Sequence, residues 1–78
     1  MPFISVKMYS GRTDEQKKAV ALALGDALCE SLGCPPTAVT VDIQEVEKEA
    51  WHDEVSVPFL EPRKDKLLIK GGTARADW

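Results

Sequence analysis

Polar and apolar residues alternate at the start of the chain. In Phe3-Ile4-Ser5-Val6-Lys7-Met8, the side chains of Ile4, Val6 and Met8 share one side, and Phe3, Ser5 and Lys7 the other. This two-residue period predicts a half-buried β-strand over residues 3–8. Gly11 breaks it. In Thr13-Asp14-Glu15-Gln16 the threonine hydroxyl is placed to accept from a first-turn amide while Gln16 reaches back, which is a capping box. The two acids beside it suit the positive end of a helix dipole. The helix predicted over residues 14–32 carries Val20, Leu24, Ala27, Leu28 and Ser31 as one apolar, small-residue stripe. Gly33 supplies a cap, and Pro35-Pro36 forbid continuation. Residues 39–45 alternate again, with Val39, Val41 and Ile43 inward, and predict a second strand.

Strand, helix, strand is a βαβ unit, whose two strands run parallel and whose crossover is right-handed. The expected fold is therefore α+β. A two-stranded sheet leaves two open edges and is not stable alone. Pairing two copies about a two-fold axis gives a four-stranded sheet with two helices on one face, so a dimer is expected at least. The remaining segment, residues 46–78, reads as a C-terminal arm of the same single domain (1–78). Its Pro58, Pro62, Gly71 and Gly72 separate short apolar pieces. A helical turn is expected around Glu47 to Val55, then an extended stretch with a brief strand near Leu67 to Lys70. Such an arm cannot bury itself, and it is expected to lie across a neighbouring subunit.

Size supports the same reading. A chain of 78 residues buries only about 60% of the surface it exposes when unfolded. Small domains offset that deficit with disulfides, metals or partner subunits. Cys29 and Cys34 form no CxxC pair and His52 is the single histidine, so neither a metal site nor a disulfide framework is indicated. Both thiols are read as reduced and half-buried. Oligomerisation remains. No apolar run approaches the ~20 residues that cross a bilayer, and no leader is evident, so a soluble cytoplasmic protein without membrane attachment is expected. With a net charge of −3 the chain has no general attraction for nucleic acid. The charge is unevenly spread. Asp42 to Glu54 is mostly acidic, whereas Arg63, Lys64, Lys66, Lys70 and Arg75 make the tail basic.

Pro2 admits two readings. Proline lacks a backbone donor and is tolerated at the head of a strand, where no ladder bond is lost. Alternatively, excision of Met1 leaves Pro2 as a free secondary amine, a base built into the chain terminus. A retained Met1 would turn that nitrogen into an amide with no basicity.

The proline at position two, the strand, Gly-Arg-Thr-Asp-Glu-Gln-Lys at the helix start, the small-residue helix and the second strand together resemble the 4-oxalocrotonate tautomerase family of the tautomerase superfamily. The likeness is clearest over the first 55 or so residues. Beyond them Trp51, Val55, Pro58, Leu60, Asp65, Leu67 and Lys70-Gly71 look like the longer C-terminal pattern of small members that are often dimers. The resemblance implies a cofactor-free enzyme, requiring no metal, whose Pro2 nitrogen moves a proton between oxygen and carbon of a 2-hydroxydienoate or an enolpyruvate. An ordinary α-amino group has a pKa of about 7.7 to 8.0. An apolar pocket disfavours the cationic form of such an amine, which puts a competent base near working pH. The expected assembly is a homo-oligomer, either a dimer or a trimer of dimers, acting on a small carboxylate.

The resemblance assigns Arg12 to the substrate carboxylate or the dienolate oxygen, which a guanidinium fork suits. It places Trp51 as an aromatic wall, and Tyr9 is a further candidate to line the pocket. Thr40 stands where the best-known diacid isomerases carry a second arginine. That departure makes Thr40 a substrate-contact position and favours a monocarboxylate. Arg63, Lys64 or Arg75 of the arm are alternative sources of the missing charge. Asp53 falls where the superfamily's 3-chloroacrylic acid dehalogenases keep a water-activating carboxylate, which gives a hydratase or dehalogenase of unsaturated acids as an alternative. A non-catalytic oligomeric binding domain, in which Pro2 merely starts a strand, is the third reading.

Overall fold

The computed structural model describes residues 2–77; Met1, whose removal decides the chemistry of Pro2, lies outside the described residues. Two compact units follow each other along the chain, residues 1–48 and 49–78. In the first, β1 (Phe3–Tyr9) leads to α1 (Asp14–Leu32), and α1 leads through a short 3-10 turn at Pro36–Ala38 to β2 (Thr40–Val46). β1 and β2 pair in parallel from Phe3 opposite Thr40 to Tyr9 opposite Val46. This is the βαβ unit that the hydrophobic pattern implies.

Local chemistry explains each boundary. Thr13 Oγ1 accepts from the Gln16 amide (3.1 Å), and Gln16 Oε1 accepts from the Thr13 amide (2.9 Å), so both halves of the capping box form. At the far end the Gly33 amide donates to the Cys29 carbonyl (3.0 Å) and the helix stops. Cys29 and Cys34 are free thiols, both half-buried. Burial pushes the Cys29 thiol up, with the neighbouring Cys34 adding to the effect.

The register divides the sheet into two unlike faces. Ile4, Val6 and Met8 stand beside Val41, Ile43 and Glu45 on one face. On the other, Ser5 donates to Asp42 (3.2 Å) and Lys7 donates to Gln44, a polar ladder between neighbouring strands. The helix departs from the expected stripe. Its shielded positions are Lys17, Ala21, Leu24, Gly25, Leu28 and Cys29, while Val20, Ala27 and Ser31 are exposed. Because α1 is apolar and small on most sides, spacing alone did not single out the face that meets the sheet. Leu22 and Leu32 remain 60% and 63% exposed and Phe3 62%, a large apolar surface for so small a unit.

The second unit differs more from the expectation of an extended arm. After a 3-10 turn at Lys48–Ala50, the chain winds as a π-helix over His52–Leu60 and as 3-10 helix over Glu61–Lys66. Pro58 lies inside the π-helical stretch, where its missing N–H leaves one i→i−5 bond unmade without ending the helix. Pro62 sits in the first turn of the following helix, where a missing donor costs nothing. Prolines that read as breakers are therefore absorbed into helix. The strand expected near Leu67 to Lys70 shortens to β3 (Ile69–Lys70), which pairs antiparallel with β4 (Thr73–Ala74). Gly71 and Gly72, with φ of 56° and 84°, form the two-residue turn between them. Positive φ at both central positions is what a type I′ hairpin turn demands, and glycine supplies it without strain. Among the described residues, Val46 and Val55 are the buried hydrophobics, and no helix is long and apolar enough to cross a membrane.

Candidate active site

The residues proposed from the sequence fall at three places. Pro2 is half-buried at the head of β1, where its carbonyl accepts from the Thr40 amide (3.1 Å). Pro2 and Thr40 are therefore neighbours. Tyr9 and Arg12 lie at the other end of the same strand; Tyr9 pairs with Val46, and the next amide, Ser10, donates to the Val46 carbonyl (3.2 Å). The seven residues of β1 span roughly 20 Å at the rise of a strand. Within one copy, Pro2 and Arg12 are too far apart to act on one small molecule. Trp51, half-buried, and Asp53, exposed, belong to the second unit at the head of its π-helical stretch.

Arg12 lines a cleft of about 300 Å³ with Met8, Gln16, Lys17, Ala19 and Val20. The Arg12 guanidinium on an otherwise largely apolar wall suits a carboxylate carrying an apolar body.

The sequence reading missed what positions this cleft. Gly11 turns the chain with φ of 113°, a conformation that side chains rarely adopt. Its amide donates to one oxygen of Glu45 (3.2 Å), while Lys17 donates to the other (2.8 Å). The Arg12 amide also helps to hold this carboxylate in its charged form. Glu45 thus ties the Gly11-Arg12 turn to the end of β2 and to the first turns of α1. Lys17 also meets Asp14 (3.4 Å). The signal was present: Glu45 occupies the next inward position after Val39, Val41 and Ile43, where an acid breaks the apolar alternation.

This clasp is electrostatically tuned. The Lys17 hydrogen bond, followed by that of the Gly11 amide, holds the Glu45 carboxyl below its ordinary value near 4.5. The bond to Glu45 in turn raises Lys17 above its ordinary 10.5. A carboxyl depressed on folding contributes above its unfolded value and loses that contribution as pH falls through the folded one. A raised ammonium contributes below its unfolded value and loses it as pH rises through the folded one. The clasp is therefore intact between about pH 4.5 and 10.5. If Glu45 positions Arg12, Glu45→Ala should raise KM for a carboxylate substrate about tenfold with little change in kcat, since it weakens ground-state and transition-state binding alike. Glu45→Gln, which keeps an acceptor for Gly11, should recover part of that loss and lack the wild-type weakening in acid. Steady-state kinetics across pH read both effects, and an unchanged KM in Glu45→Ala would remove Glu45 from the site.

Comparison with known proteins decides the family. The model of the tautomerase family, described as tautomerase enzyme, matches residues 2–59. The chain belongs to the tautomerase family. It is 51% identical over 51 residues to 2-hydroxymuconate tautomerase of Pseudomonas putida, covering 65% of this chain and 81% of that one. The crystal structure of TomN, a 4-oxalocrotonate tautomerase homologue of the tomaymycin biosynthetic pathway, superposes with a TM-score of 0.63 at 29% identity, covering 97% of this chain and 91% of TomN. A structure from an analysis of trans-3-chloroacrylic acid dehalogenase activity aligns with a TM-score of 0.59 at 38% identity over 62% of this chain and 91% of that one. The chain is thus an enzyme of the tautomerase type, and the likeness to TomN extends through the C-terminal arm.

Proposed function

We propose that this tautomerase-family enzyme interconverts the enol and keto forms of a 2-hydroxydienoate or enolpyruvate-type carboxylate without a cofactor, in the cytoplasm, using Pro2 as base and then acid. Loss of Met1 frees the Pro2 nitrogen. The amine takes the proton from the enol hydroxyl, and the same proton is then delivered from Pro2 to carbon, so the reaction is balanced without any other reactant. Arg12 holds the carboxylate and stabilises the negative charge that develops on the dienolate. Thr40, beside Pro2, contacts the substrate, and Tyr9 and Trp51 wall the pocket against water. A monocarboxylate is the favoured substrate because the β2 position next to Pro2 is a threonine rather than an arginine.

The observation that carries this reading is a proline at the head of a strand whose far end presents a guanidinium on a carboxylate-sized cleft, in a chain of this family. It also supports an assembled site. Since β1 separates the two groups, a working site takes Pro2 from one copy and Arg12 from another. The exposed Phe3, Leu22 and Leu32 give such copies apolar surface to share, pairing two sheets into one of four strands in a dimer or a trimer of dimers.

The likeness to the dehalogenase structure supports a second reading, in which protonated Pro2 is the acid and Asp53 directs water onto an unsaturated acid. One sample tests both. Protein purified from its native cells is expected to have an intact mass lacking methionine, to ketonise an enolpyruvate rapidly, and to release little chloride from 3-chloroacrylate. Fast chloride release with slow ketonisation would establish the Asp53 reading instead. A retained methionine with neither activity would make Pro2 a structural strand-starter and the domain a binding module.

A further inference from the structure

Cys29 and Cys34 take part in no step above, yet the end of α1 gathers them at one place. On an unbroken α-helix, residues five apart stand about 140° apart around the axis and about 7.5 Å along it, out of reach of a disulfide. Gly33 changes this. It lies in the left-handed region, with φ of 70° and ψ of 28°, and its amide closes on the Cys29 carbonyl (3.0 Å). A cap of this kind turns the residue after the glycine back toward the residue four before it. Here those two residues are Cys34 and Cys29. The Cys34 thiol accordingly donates to the Leu28 carbonyl (3.9 Å), which belongs to the peptide bond leading into Cys29. After burial, Cys34 is the neighbour that raises the Cys29 thiol most. Both thiols are free and half-buried. Cys29 also lines a cleft of about 290 Å³ with Leu22, Gly25, Pro36, Val39 and Val41, so the pair borders a cleft and is not sealed in a core.

We propose that Cys29 and Cys34 are a reversible dithiol–disulfide pair, closed within one chain by a low-molecular-weight disulfide of the glutathione type. The thiolate of one cysteine attacks a sulfur of the oxidant, forms a mixed disulfide and expels one glutathione thiolate. The thiolate of the other cysteine then attacks the protein sulfur of that mixed bond and expels the second. Two protein thiols thus give up two protons and two electrons, and the S–S bond of the oxidant becomes two thiols. Closure wins over two separate adducts because the second attack runs within the chain, across a turn the cap has already made. The closed bond ties the last turn of α1 to the Pro35-Pro36 segment that leads into β2. The pair needs neither Pro2 nor Arg12 and stands whether or not Pro2 is the base.

The test equilibrates the reduced full chain with mixtures of glutathione and glutathione disulfide, in native buffer and in concentrated urea, and reads intact mass after acid quenching. The native chain is expected to lose two hydrogens without gaining glutathione or a second chain. At fixed glutathione it should be half closed at a glutathione disulfide level at least about tenfold lower than in urea, because the folded cap has already brought the thiols together. Cys29→Ser and Cys34→Ser should each stop at a single glutathione adduct, with far-ultraviolet circular dichroism verifying that they are folded. The comparison between buffer and urea uses the wild-type chain and does not depend on either variant. A native chain that carries two glutathiones, links to another chain or stays reduced would overturn the pair. So would a half-point equal to that in urea, since the fold would then add nothing to two thiols five residues apart. The enolpyruvate ketonisation assay reads the catalytic proposal separately.

Discussion

Pro2→Ala is expected to lower enol-to-keto turnover at least about a hundredfold, the range in which a positioned general base contributes. The substitution is informative because alanine at position two still allows removal of Met1 and still ends in a free amine, with an ordinary α-amino pKa of about 7.7 to 8.0. What it removes is the ring. In proline the nitrogen is a secondary amine tied back to its own Cα, so its direction follows from the backbone, and that backbone is held by the Thr40 amide on the Pro2 carbonyl. An alanine amine rotates freely about the N–Cα bond and is more readily solvated, so it spends little time aligned with the reacting oxygen. Ketonisation of an enolpyruvate followed by absorbance, on samples whose mass verifies methionine removal in wild type and variant alike, measures the effect. Near wild-type rates in the variant would mean that the proline only begins a strand. The residue would then be explained by its missing backbone donor alone.

The extent to which fold and site could be read in advance depended on how local the determining interaction is. The alternation of Ile4, Val6 and Met8, the Thr13/Gln16 box and the second alternation at Val39, Val41 and Ile43 are short-range signals, and the βαβ unit with its parallel pair followed from them. The inward face of α1 was not legible to the same degree. Leu24 and Leu28 are shielded as the spacing implies, but Val20 and Ala27 are exposed, because an apolar residue on a small unit can face a partner as readily as its own sheet. The arm misled through Pro58 and Pro62. A proline weakens a helix by removing a ladder donor, which costs nothing at a helix start such as that of Pro62, whereas Pro58 stands inside a helical stretch in spite of its missing donor. The Gly71-Gly72 pair was a hairpin signal that the reading left unused. Glu45 joins residues 34 positions apart, Gly11 to Glu45, so its role appears only once β1 and β2 are in register. Pro2, Thr40, Tyr9 and Arg12 were individually visible as candidates. The strand predicted over residues 3–8 already separates Pro2 from Tyr9 and Arg12; that Thr40 stands beside Pro2 emerged only from the register.

That division leads to the second large effect. Arg12→Ala is expected to lower kcat/KM about a hundredfold or more, as loss of a single charge-stabilising donor does in acyl-transfer sites. Arg12→Lys should recover only part, because an ammonium cannot make the bidentate contact. Taken alone these losses do not say which copy supplies the arginine. Mixing does. If Pro2 and Arg12 of one site come from different copies, then unfolding the inactive Pro2→Ala and Arg12→Ala proteins together and refolding them as a mixture creates sites with both residues intact. Random pairing of equal amounts should restore about a quarter of the wild-type activity, because each site draws an intact proline and an intact arginine independently in a symmetric assembly. A site built within one chain would restore nothing, since every chain carries one defect. The strand length argues for restoration: β1 is fully paired from Phe3 to Tyr9, and no bend brings its ends together. A mixture that stayed inactive while forming mixed oligomers by mass would require Arg12 to act elsewhere, and the carboxylate would then have to be held by another cation.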